Sequence, residues 1–90
     1  MTEQAGDQLQ QDAERQELIE ELTLVLLYLS SWEEKNAGNT LRKAWKGYTF
    51  STLNALEERG LIHQSHRAKS LTLTEEGVAL ALELEHRFKP

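Results

Sequence analysis

Arg42, Lys43, Lys46, Arg67 and Lys69, with His66 beside them, are the side chains of this chain best suited to holding an anion. Cations of this kind neutralise phosphates and release counterions, which gives salt-sensitive binding to a nucleic-acid backbone. Ser51, Thr52 and Asn54 lie between them in sequence and carry hydroxyl and amide groups able to contact bases or phosphates. Glu57 and Glu58 follow directly and repel phosphate. The same residues also read as an ordinary solvated turn and a charged loop, and both readings stay open at this point.

Other chemistry is poorly provided for. His63 and His66 stand three apart without a third ligand at sensible spacing, and the chain has no cysteine, so a metal site is not expected. Asp7 and Asp12 lie near the start of the chain. The glutamates come mostly as neighbours, as in Glu20-Glu21, Glu33-Glu34 and Glu75-Glu76. Adjacent helical residues point apart, whereas paired catalytic carboxylates need burial and opposed environments. With no Gly-rich phosphate loop either, the expectation is a non-enzyme without a cofactor. Trp45 and Tyr48 bracket Lys46-Gly47 and are expected to pack a connector on the core rather than to stack on nucleobases.

Helical and strand patterns place these residues. Residues 1–11, Gln-rich and almost without apolar side chains, read as a disordered acidic tail, and residues 12–90 as a single domain. Leu18, Ile19, Leu22, Val25, Leu26, Leu29 and Trp32 recur at three- and four-residue spacing and predict one long helix. Asn36-Ala37-Gly38-Asn39 breaks it. Thr40–Gly47 reads as a short helical connector, with an extended segment as the alternative. Thr49 then starts a second helix with Phe50, Leu53 and Leu56 as its apolar stripe and Gly60 closing it. Leu61–Gln64 and Ser70–Leu73 read as a β-hairpin turning at His66-Arg67-Ala68, and Thr74 caps a final helix. The expected fold is α+β and winged-helix-like: long helix, connector, second helix, two-stranded wing, C-terminal helix.

Trp45-Lys46-Gly47-Tyr48, Leu56–Ile62, Lys69-Ser70 and Thr74–Gly77 together resemble a small family of uncharacterised bacterial proteins classed as a domain of unknown function. The resemblance runs from about Leu22 to Phe88 and implies a winged-helix-like fold. More loosely, Leu56–Ile62 and Leu73–Gly77 are similar to a pattern of the multiple-antibiotic-resistance and phenolic-acid-response transcriptional regulators. That similarity implies a recognition helix before Gly60 and a wing that touches the DNA backbone.

Charge is unevenly spread along a chain of net charge −5. Residues 1–17 hold five carboxylates against Arg15, a local −4, while residues 40–72 hold six Lys and Arg against two Glu, a local +4. The basic middle supports a DNA-binding or transcription-associated module; the alternative is a protein-interaction or assembly module without nucleic acid. Excess apolar surface on the first and last helices points to a homodimer through Leu24, Leu27, Leu80, Leu84 and Phe88. No membrane span or secretory signal is visible, which gives a cytoplasmic expectation.

Overall fold

The computed structural model describes the backbone of residues 2–89 and the side chains of residues 8–89. Helix α1 runs Thr2–Leu29, followed by strands β1 (Trp32–Asn36) and β2 (Asn39–Trp45), helix α2 (Phe50–Glu58), strands β3 (Ile62–Gln64) and β4 (Ser70–Leu73), and helix α3 (Glu75–Phe88). The strands form one antiparallel sheet in the order β1-β2-β4-β3. The architecture is α+β, as the patterns imply, but its first half differs from the expected one.

Residues 2–11, within the segment read as a disordered tail, belong to α1. Exposed i, i+4 pairs run along it: the side-chain amides of Gln8, Gln10 and Gln16 donate to Asp12, Glu14 and Glu20. Such pairs support a helix that has little apolar surface to bury. α1 stops at Leu29 because Ser30 and Ser31 turn their hydroxyls back onto the Leu26 and Tyr28 carbonyls. Serine competes in this way with the backbone ladder and ends helices. Trp32, at helical spacing from Leu29, therefore opens β1 instead of extending α1.

The connector Thr40–Gly47 is not a short helix; most of it is β2. Ala37 (φ 51°) and Gly38 (φ 83°) join β1 to β2 in a two-residue turn with both central residues at positive φ, the form that matches strand twist. The β1–β2 hairpin thus occupies the place where a helix-turn-helix carries its supporting helix. Within β2, Ala44 faces the core and its neighbour Trp45 faces solvent, the period-2 alternation of a strand.

The second half follows the predicted order closely. Gly60, at φ 75°, ends α2; its amide bonds Glu57 O, and the Leu61 amide bonds Leu56 O, the paired closure of a Schellman turn. Leu71 and Leu73 are buried while Ser70 and Thr72 are half-buried. Thr74 caps α3 by accepting the Gly77 amide at 2.9 Å, and its hydroxyl donates to Gly60 O at 2.7 Å. Thr49 opens α2 in extended geometry without capping an amide, its hydroxyl meeting Thr52 instead.

One sheet face packs on the helices, and the core lies between. Leu24 and Leu27 of α1, Leu53 and Leu56 of α2, Ala44, Leu61, Ile62, Leu71 and Leu73, and Ala81 and Leu84 of α3 make one buried cluster. Phe50, expected in the α2 stripe, is 77% exposed. α1 packs on α3 and α2, and Arg59 at the end of α2 bonds Glu20 at 3.1 Å.

Candidate interaction surfaces

The predicted anion-binding residues do not meet on one face. Arg42 turns to the helix side of the sheet, 5.3 Å above the Tyr28 ring, and donates to Ser31 and to Glu33 at 3.0 Å. Lys43, on the opposite face, pairs with Glu34 at 3.2 Å. Both cations are thus matched by carboxylates of β1, the strand that sequence reasoning missed. Lys46 bends toward the second hairpin and bonds Ser65 O at 2.7 Å. Arg67 and Lys69 lie exposed in the β3–β4 turn, where the Arg67 amide bonds the Ser65 hydroxyl.

Three of the predicted residues do come together. Lys46, Asn54 and His66 line a small groove of about 310 Å3 with Phe50, Glu57 and Gln64. One lining residue is an acid. Glu57 accepts the Gln64 amide at 3.0 Å and the Gln64 side-chain amide at 3.1 Å, and lies 3.7 Å from His63. The backbone bond from Gln64 is the largest influence holding its carboxyl below the usual range; partial burial opposes it, and the Gln64 side chain, His63 and His66 assist. Ser51 is exposed on α2, but Thr52 is buried beneath Thr49 and cannot reach a base. Among the described residues no three His, Asp or Glu gather as a metal site.

The predicted dimer residues are mostly core. Leu24, Leu27 and Leu84 are buried within the single chain, and Leu80 is half-buried against the same cluster. Only Phe88 remains substantially exposed. The reason lies in the choice of helix face. Leu24 and Leu27 share the face of α1 that packs on α3 and α2, which leaves the opposite face open.

That open face carries Leu18, Ile19, Leu22, Leu26 and Leu29, each between 42% and 57% exposed. Spacings of three and four residues align them as one ridge along the helix. Isolated exposed leucines are ordinary; a contiguous apolar strip of this kind is not. Apolar surface is exposed elsewhere too. Trp45, 64% exposed, tilts against Trp32 at 4.9 Å on the outer sheet face, so the expected packing of Trp45 onto the core does not occur. Leu41, Val78, Ala79 and Leu82 contribute to an open groove of about 690 Å3 between the sheet and α3, with Glu33 and Glu75 on its wall. No helix among the described residues is long and apolar enough to cross a membrane.

No solved structure matches the chain. Uncharacterized protein y4hR of Sinorhizobium fredii (strain NBRC 101917 / NGR234) is 39% identical over 71 residues, spanning 78% of this chain and 86% of that relative. The family model described as Domain of unknown function (DUF6429) matches residues 15–89, which takes in the exposed ridge, both hairpins and α3. The chain belongs to this family.

Proposed function

We propose that the protein is a non-enzymatic assembly module that docks a protein partner on the apolar ridge of α1. The observation that carries this reading is the unpartnered line Leu18, Ile19, Leu22, Leu26 and Leu29 on a helix whose opposite face is already packed. A helix apolar on two sides requires two packing partners, and the domain supplies one.

DNA binding through the second hairpin and the connector is the weaker reading. Its favourable observation is the groove of Lys46, Asn54 and His66 beside exposed Phe50, where a base could stack. Against it, Arg42 and Lys43 already hold carboxylates and Glu57 sits in the same groove. The strand pair β1–β2 also replaces the helix that would brace α2 on a duplex.

A photoreactive amino acid placed at Leu22, and separately at Asn54, separates the readings in living cells. Protein adducts from position 22 are expected. Nucleic-acid adducts from position 54, with none from position 22, would overturn the assembly reading.

A further inference from the structure

We infer that the occupant of the α1 ridge is a second copy of this chain, its α1 lying antiparallel across the first near Leu22. This inference rests on the assembly reading above. Charge along α1 sets the direction of the pair. Residues 12–21 hold Asp12, Glu14, Glu17, Glu20 and Glu21 against the single cation Arg15, whereas residues 22–32 hold no charged side chain. A parallel pair would set each acidic half beside its own copy, at a repulsion that grows as water is excluded. An antiparallel pair sets each acidic half along the partner's uncharged half, and the two helix dipoles then oppose.

In that arrangement the Leu18, Leu22 and Leu26 stretch of the ridge is its own complement. With Leu22 on the two-fold axis, Leu18 faces the partner's Leu26, and Arg15 reaches the partner's Leu29. A two-fold interface of this kind buries the same patch on both copies. Helical length supplies further area. A standard interface takes about 800 Å2 from each partner, more than five half-exposed side chains provide. From Gln8 to Leu29, α1 spans about 32 Å at ~1.5 Å per residue. In the antiparallel pair the part before Arg15 runs past the end of the partner's α1, toward its Ser30–Trp32 segment, and adds to the contact.

The chain has no cysteine, so introduced thiols report the geometry cleanly. A disulfide needs Cα atoms within roughly 7 Å. Leu22→Cys is expected to cross-link fully to a covalent dimer under mild oxidation. A mixture of Leu18→Cys and Leu26→Cys chains is expected to give the mixed dimer. Neither of the latter alone should cross-link well, because antiparallel copies of position 18 lie ~12 Å apart along the axis at ~1.5 Å per residue. Equal cross-linking at all three positions would overturn the antiparallel arrangement. No cross-link from any of them, with the uncross-linked chain monomeric in sedimentation, would overturn the second copy altogether. Capture of a different protein by a photoreactive group at position 22, without self-adducts, would then leave the assembly reading standing, and no adduct of any kind would remove both.

Discussion

Gly77 sits directly against the carbonyl of Leu61: a Cβ built on Gly77 falls deep inside contact distance of the Leu61 oxygen. Thr74 ties the same two segments together, its amide bonding Leu61 O at 3.1 Å and its hydroxyl bonding Gly60 O. The Gly60-Leu61 step and the Thr74–Gly77 turn are therefore one joint, which docks the start of α3 on the end of α2. The joint explains the Leu56–Ile62 and Leu73–Gly77 segments as packing chemistry. It carries no statement about DNA.

Gly77→Ala forces the backbone at this joint apart, because the obstructing atom is a carbonyl rather than a flexible side chain. The expected loss is about 1–3 kcal/mol, the usual cost of overpacking a tight site. Urea denaturation of the variant beside wild type measures it, and an unchanged midpoint would show that the joint has slack.

Thr74→Ala removes both the cap on the Gly77 amide and the donor to Gly60 O. A loss of about 0.5–2 kcal/mol is expected, as for other N-caps. Thr74→Ser, which keeps the hydroxyl, should retain most of the stability in the same denaturation series.

Buried and ridge leucines should separate sharply in a dilute solution where the chain is monomeric. Leu84→Ala and Leu24→Ala open cavities in the core and are expected to cost about 2–5 kcal/mol. Leu22→Ala and Leu26→Ala lie on the open face and should change monomer stability by roughly 0.5 kcal/mol or less. Comparable losses at the two sets, read by thermal melts, would mean that the ridge is covered within the single chain.

Glu57 gives a pH signature. Its carboxyl is held below the ordinary range chiefly by the Gln64 amide, so the bond stabilises the fold fully above the unfolded-state value and is lost as pH falls through the folded one. Glu57→Gln is therefore expected to melt below wild type at neutral pH. The gap should close as pH drops through about 4 and lower, near and beneath the ordinary glutamate value. A gap independent of pH would assign the difference to packing.

What the residues disclosed depended on how local their signals were. Gly60, the Leu71/Leu73 alternation and the Thr74 cap act within a few positions, and the second hairpin and α3 follow from them. β1 has no such signal. Trp32-Glu33-Glu34-Lys35-Asn36 does not alternate, and four of its five positions are exposed. Leu29 and Trp32, moreover, continue the helical spacing of α1 into it. Only the turn at Ala37-Gly38 marked the hairpin, and it reads equally well as a helix-breaking loop. Missing β1 hid the carboxylates that pair with Arg42 and Lys43, so those cations looked free. The choice between the two apolar faces of α1 was also out of reach of periodicity, because Leu24 and Leu27 share the apolar character of Leu22 and Leu26. Packing against α3 and α2 decides between them.

Sedimentation velocity of wild type and of Leu22→Glu/Leu26→Glu, across a range of chain concentrations, tests the central claim most directly. Wild type is expected to move from the mass of one chain to that of two as concentration rises. The double variant should stay at the mass of one chain, with a thermal melt that matches wild type at concentrations where wild type is also a single chain, since both positions lie on the exposed face. Wild type at the mass of one chain throughout, or a double variant that still pairs, would contradict self-assembly through α1.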